Sequence, residues 1–340
     1  MGQIFITAVN AIFPIVLLIL LGYFLRRMGI ISESFAKTAN SLVFKLFLPS
    51  MLFVNVYGIE SVEDIPWGTV LYCAGAILAL FAVSLVAAVL TTADGRKRGV
   101  ISQCCFRGNF SIIGLPLSAS LGGAPALAVS SVIATLVIPM FNILSVISLS
   151  VFNRDAEGKA PSVKKILKGI ITNPQILGVV LGLVCILIRQ LQKLVFGDVV
   201  FSLSRDLKFV YTTLTHLKSL ATPLALVALG GQFKFSVVRG LFKEIVVGTA
   251  FRNVVAPVLG LGGALLLNKL WGVVPCGVET IPGMLCLFGT PVAVSSSVMA
   301  AEMGGDEQLA AQLVVWTSVA SVLTMFLLVS GLMAAGLLAV

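Results

Sequence analysis

The chain has 340 residues, 58% of them hydrophobic and 11% charged. Soluble domains run at roughly 45–50% apolar and about 25% charged, so this surface cannot all face water and a lipid-embedded protein is indicated. The net charge of +9 does not mark a nucleic-acid binder, because the basic residues form no patch and sit in short loops between apolar runs.

Six cysteines without a CxxC pair, together with one histidine, speak against a metal site. The cysteines read as buried, reduced thiols, and no metal or cofactor is expected.

Met1-Gly2-Gln3 leads straight into an apolar run that ends at Arg26-Arg27 without a small-residue cleavage site, so this run reads as a retained span rather than a removable signal. The runs Ile4–Leu25, Val70–Leu90 and Val314–Val340 each approach or exceed the roughly 20 residues a helix needs to cross hydrocarbon. Ten spans are predicted near 4–26, 35–57, 67–91, 99–121, 124–152, 173–192, 209–231, 241–268, 277–302 and 308–338. The polar stretch 153–172 divides them, with Lys164–Ile171 predicted as an amphipathic helix on the membrane surface.

Orientation follows from the basic loops. One side collects Arg26, Arg27, Lys37, Arg96, Lys97, Arg98, Arg154, Lys159, Lys164, Lys165, Lys168, Lys234, Arg239 and Lys243. The other collects only Arg189, Lys193, Arg205, Lys208 and Lys269. The first side is predicted to be cytoplasmic, with both termini outside the cell membrane.

The two halves, 1–152 and 173–340, carry matched features in the same order. Pro14 and Gly22 match Pro174 and Gly182, and Pro49 matches Pro223. Gly114-Leu115-Pro116 matches Gly289-Thr290-Pro291, and Met140-Phe141 matches Met325-Phe326. The offset grows steadily along the chain, as a repeat with small insertions would produce. Five spans per unit is an odd number, so the halves must run in opposite directions through the bilayer.

The predicted fold is therefore all-α and membrane-integral: ten helices in two inverted five-helix repeats, with helices 4 and 9 broken and crossing. Proline removes an N–H and glycine eases departure from helical geometry, so the Gly-x-Pro pairs mark the expected breaks. Breaks survive in a membrane only where protein or a wet cavity satisfies the freed backbone.

The expected binding site combines Asn109, Ser111, Gly114 and Pro116 from the fourth span with Thr290, Pro291, Ser295 and Ser296 from the ninth. Arg107, Arg252, Lys45 and Lys218 are the intramembrane cations, which default to functional candidates. They favour an anionic substrate, since no midplane carboxylate accompanies them. Glu279 and Glu302 fall towards opposite ends of the ninth span.

Several stretches taken together resemble the auxin efflux carrier family over nearly the whole chain. They are NSLVFKLFLPSMLF, FRGNFSIIGLPLSASLGG, TNPQILGVVLGL, ATPLALVALGGQF and GTPVAVSSSVMAAEMGGDEQLAAQLVVWTS. The resemblance implies ten helices in two inverted repeats, a scaffold from the first two helices of each, and a transport domain from the rest. It also implies transport of organic anions such as indole-3-acetate, malate or malonate. The family's crossing asparagine falls on Asn109 and its crossing prolines on Pro116 and Pro291. The central loop is short, so the loop phosphorylation of the large plant carriers is not expected.

The leading expectation is an alternating-access carrier of small organic anions, with lipid as its surroundings and a homodimer as a candidate assembly. A sodium- or proton-coupled symporter or antiporter resembling the bile-acid symporters is the alternative. A channel fits the paired breaks less well. A membrane enzyme lacks a GxSxG motif or an acidic partner near His216.

Overall fold

The computed structural model describes residues 2–58, 66–152 and 163–338; for 2–12, 163 and 165 it describes the backbone alone. Of the predicted polar stretch 153–172, residues 153–162, with Arg154 and Lys159, lie outside the described residues. Among those described, every regular element is helical.

The helices are α1 (Gly2–Arg27), α2 (Glu33–Leu42), α3 (Leu48–Tyr57), α4 (Trp67–Thr91), α5 (Gly95–Phe106), α6 (Leu115–Val151), α7 (Val163–Ile171), α8 (Pro174–Phe196), α9 (Leu203–Asp206) and α10 (Lys208–Gln232). They continue with α11 (Phe242–Ala250), α12 (Gly263–Trp271), α13 (Ile281–Gly289), α14 (Ser295–Glu302) and α15 (Glu307–Ala334). Among the described residues, six continuous helical stretches are long and apolar enough to cross a membrane: Glu33–Tyr57, Trp67–Thr91, Phe110–Val151, Pro174–Phe196, Arg239–Trp271 and Glu307–Ala334.

Polar residues at the ends define where helices begin. Ser32, Asp94, Asn173 and Asp306 each accept a backbone N–H from the first turn of α2, α5, α8 and α15. Pro174 at the first position of α8 costs no hydrogen bond there. The long stretch α6 is really two pieces, since Gly123 adopts φ 67°, ψ −159° inside it. Only glycine takes that conformation without strain.

A regularity links three interior prolines. Pro49, Pro116 and Pro257 each follow a five-residue π-helical segment: Val43–Phe47, Phe110–Gly114 and Phe251–Val255. In each, the residue before the proline (Leu48, Leu115, Ala256) donates its N–H five residues back, to Val43, Phe110 and Phe251. A proline in a regular helix collides with the carbonyl four residues earlier. The wider π turn moves that carbonyl aside, so the helix passes the proline without breaking.

Close packing around α1 and α3 depends on small residues. A Cβ built on Gly22 would overlap the Val227 carbonyl, and one on Gly230 the Ile19 carbonyl, so the α1 and α10 backbones touch. Gly178 of α8 meets Pro49 of α3 in the same way. Without a hydrophobic driving force in lipid, such small-residue contacts are what hold helices together. At the centre lies α13, of which every residue from Ile281 to Gly289 is buried. The outward faces are apolar, including Leu181, Leu187 and Leu194 of α8 and Leu323 and Leu327 of α15. All six cysteines are free thiols, with Cys73, Cys104, Cys105 and Cys286 buried.

Candidate functional site

Two helices stop inside the molecule. α5 ends at Phe106 and the chain resumes helical form at Phe110, leaving Arg107, Gly108 and Asn109 non-helical. α13 ends at Gly289 and α14 begins at Ser295. The two gaps pair antiparallel, with a bridge between Gly108 and Val292. Asn109 donates its N–H to the Pro291 carbonyl at 2.8 Å, and Ala293 donates to the Arg107 carbonyl at 3.2 Å. Val292 donates to the Thr317 hydroxyl at 3.1 Å. Helix ends strand backbone groups, and in a water-poor interior each break satisfies the other.

The Gly-x-Pro expectation holds at Gly289-Thr290-Pro291 and is corrected at Gly114-Leu115-Pro116. There the helix is continuous and the interruption lies upstream, at 107–109, because the π segment Phe110–Gly114 absorbs Pro116. Gly114 is buried against the Phe110 ring, 2.5 Å from where a Cβ would sit, and Pro116 is exposed on a cavity wall.

Arg107 leaves the first break and is 4% exposed. Its guanidinium donates to Ser145 Oγ at 3.1 Å, Asn142 Oδ1 at 2.9 Å, Ser295 Oγ at 2.9 Å and Gln175 Oε1 at 3.4 Å, and it also meets the Met299 sulfur. None of these partners is a carboxylate. Asn109 Nδ2, Gln175 Nε2, Gln103 Oε1, Thr290 Oγ1 and Ser296 Oγ, all close to the paired breaks in sequence or contact, are buried without a hydrogen-bond partner. Orphaned buried polar atoms cost free energy and call for an explanation such as a ligand or water.

Three cavities adjoin through shared lining residues. A small one of about 40 Å³ touches Arg107, Asn109, Ser111, Asn142, Gln175 and Ser295. A second of about 480 Å³ shares Met51, Ser111 and Ile112 with it, and adds Asn55, Pro116 and Lys218. A third of about 600 Å³ shares Asn55, Leu115, Leu127 and Lys218 with the second, and adds Tyr211, Gly58 and Pro66 at one end of the molecule. Asn55 donates to Ser111 Oγ at 2.9 Å where the small cavity meets the larger ones.

Of the residues singled out in the sequence, Arg107, Asn109, Ser111 and Ser295 come together at the small cavity. Pro116 and Lys218 line the larger space, and Lys218 has no hydrogen bond or ion pair among the described residues. Thr290, Pro291 and Ser296 are buried in and beside the paired breaks. Lys45 is exposed on the segment Val43–Phe47, and Arg252 is fully buried; neither lines these cavities.

The residues missed were Asn142, Ser145 and Gln175, which hold Arg107, and Asn55. Asn55 stands alone in an apolar run, Asn142 and Ser145 lie three residues apart in another, and Gln175 follows the capping Asn173. A polar residue within or at the start of an apolar span was the available signal.

Apolar membrane-length helices, with two helical paths interrupted inside the molecule beside a cationic cavity, define a multi-pass membrane protein of the transporter class. The chain belongs to the membrane transport protein family (Mem_trans), the auxin efflux carrier family, whose family model matches residues 7–329. It is similar to an uncharacterized transporter of Methanocaldococcus jannaschii, 24% identical over 76% of this chain and 80% of the relative. It is also similar to an uncharacterized transporter of Methanothermobacter thermautotrophicus, 22% identical over 78% of this chain and 81% of that relative. The family and both relatives are named as transporters rather than enzymes.

Proposed function

We propose that the chain is a secondary transporter that moves a small organic anion across the cytoplasmic membrane by alternating access. In this reading ten helices form two inverted repeats, 1–152 and 173–340, with both termini outside. α5 with the start of α6 forms one crossing helix, and α13 with α14 forms the other. The substrate is a carboxylate, of the malate or malonate type or an auxin-like acid.

The observation that carries the reading is Arg107: a buried cation at paired helix breaks, held only by neutral groups and facing a cavity. A buried charge without a countercharge is costly, and an anionic substrate supplies the missing partner. About 40 Å³ admits a carboxylate group and little more, while the adjoining 480 Å³ takes the rest of a small acid. Lys218 in the larger space offers a second positive charge along the route. The third cavity extends to Gly58 and Pro66, on the side opposite the basic loops in the proposed orientation.

The test is a thermal-shift screen of the purified chain against mono- and dicarboxylates and indole acids, followed by flux of the hits in proteoliposomes. A bound ligand raises the melting temperature. At least one acid is expected to raise Tm saturably and to exchange across the bilayer, while its neutral amide does neither. Failure of every acid in both assays would overturn the anion reading.

A further inference from the structure

Arg252 is among the largest side chains with no exposed surface. It projects from the π segment Phe251–Val255 and meets four backbone carbonyls. Nε donates to Thr290 at 2.8 Å, Nη1 to Phe106 at 3.1 Å, and Nη2 to Leu287 at 2.9 Å and Phe288 at 3.0 Å. Phe106 closes α5, Leu287 and Phe288 belong to the last turn of α13, and Thr290 lies just beyond it. These carbonyls lack intrahelical N–H partners and form the negative end of each helix dipole.

A further oxygen stands beside them. Thr290 Oγ1 is buried without a partner, and a Cβ built on Gly108 would lie 2.9 Å from it and against the Arg252 guanidinium. Glycine at 108 is what lets the guanidinium come this close. Converging half-helix C-termini and unwound carbonyls are the means by which broken-helix transporters hold an alkali cation, and hard cations take oxygen ligands of this kind. Here the chain supplies the positive charge itself.

We propose that Arg252 is a tethered substitute for a coupling cation. Its guanidinium holds the place a sodium or potassium ion would occupy between the two half-helix ends, so transport needs no free alkali cation there. Removing the guanidinium uncovers a cation site lined by the carbonyls of Phe106, Leu287, Phe288 and Thr290 and by the Thr290 hydroxyl. The flux arm of the test rests on the transporter reading above; the binding arm does not.

The experiment compares the wild-type chain with Arg252→Ala, with Arg252→Met as a space-filling uncharged control, and with Arg252→Lys as a charge-retaining one. Melts are run at constant ionic strength, exchanging choline for Na⁺, Li⁺, K⁺ or guanidinium at on the order of tens of millimolar. At least one of these cations is expected to raise the Tm of R252A saturably by about 2 °C or more, with no cation-specific rise in wild type or R252M. In proteoliposomes wild-type and R252K flux should be indifferent to replacing Na⁺ by choline, whereas R252A flux should become dependent on the rescuing cation. A purely structural arginine would not create that dependence.

Folded R252A that responds to none of the cations would overturn the proposal, as would a sodium requirement in the wild type. Should R252A not fold, the wild-type and R252K arms decide, since sodium dependence in either refutes it. If no anion is transported at all, the transporter reading fails while the melts still answer the cation question.

Discussion

Replacing Arg107 by Gln tests whether its buried charge serves an anionic substrate or only the fold. In the absence of substrate, three charge-assisted bonds at 2.9–3.1 Å to Asn142, Ser295 and Ser145 support the guanidinium. Bonds to charged groups contribute about 1.5–3 kcal/mol each, against an effective desolvation cost of several kcal/mol per buried ion. These terms nearly cancel, and the glutamine side chain retains an amide to meet Asn142 or Ser145. The substrate-free Tm of R107Q should therefore lie within about 3 °C of wild type or above it.

Substrate binding should behave differently. A carboxylate about 4 Å from the guanidinium at an effective dielectric near 20 gains about 4 kcal/mol, and losing one partner of a buried charge pair costs about 2–5 kcal/mol. The Kd for the anion should rise between about 30- and 4000-fold, read from the ligand concentration that half-saturates the thermal shift, and flux should fall with it. R107K keeps the charge but loses the planar fork, and should fall between the two. A large drop in substrate-free Tm with unchanged anion affinity would refute the reasoning and make Arg107 a structural strut.

The prolines of the two interrupted regions should differ. Pro116→Ala lets a regular helix replace the π segment Phe110–Gly114, so Tm should hold or rise while anion affinity changes by less than about threefold. Pro291→Ala adds a buried N–H to an already paired break and should lower stability by about 1–3 kcal/mol, measured by the same melts. In the helix contacts, Gly22→Ala or Gly230→Ala sets a methyl against a carbonyl and should cost about 1–3 kcal/mol. Gly75→Ala, with nothing within 4 Å of the new Cβ, should be neutral or slightly stabilising.

A buried amide seam joins α2, α10 and α15. Asn40 donates to Gln232 Oε1 at 3.1 Å and Gln308 donates to the Gln232 carbonyl at 3.3 Å, leaving Asn40 Oδ1, Gln232 Nε2 and Gln308 Oε1 without partners. Gln232→Met should destabilise by about 1–3 kcal/mol by stranding Asn40. The double variant with Asn40→Leu should recover most of that loss, a non-additivity that a double-mutant cycle reads directly. Additive losses would show that the pair is not coupled.

Much of this was legible in the residues because membrane helices and breaks are written in local chemistry. The helix starts at Asp94, Asn173 and Asp306 are capping residues beside apolar runs, and Gly123 separates the two pieces of α6 close to the predicted boundary between spans. The break at Pro291 was readable from Gly289-Thr290-Pro291. The one at 107–109 was not placed, because a proline marks strain but not how the chain relieves it. At Pro116 a π turn does so, and Arg107-Gly108-Asn109 carries no proline to announce the gap.

Lys45 illustrates a second limit. Its position four residues before Pro49 gives its depth along the span but not its azimuth, and the π segment sets it on the outer face. Arg252 was identified as an intramembrane cation, yet its role depends on carbonyls from α5 and α13 that are remote in sequence.

The two arginines divide one electrostatic problem. Where α5 and α13 stop, their C-termini bring negative dipole ends to the crossing; where the helix resumes at Phe110 and Ser295, positive ends face it. Left alone, opposite ends side by side would give a weak field and select no sign of ligand. Arg252 engages the carbonyls of the C-terminal ends, cancelling the half of the field that would attract a cation. What remains facing the cavity is Arg107 with the N-terminal ends of α14 and of the segment leading into α6, all of one sign. On this account Arg252 sets anion selectivity without touching the anion. Neutralising Arg252 should then weaken discrimination between an acid and its neutral amide, whereas neutralising Arg107 should weaken binding of the acid itself. If the ratio of acid to amide affinity in R252M equals that of wild type, the cancellation argument fails even where the Arg107 prediction succeeds.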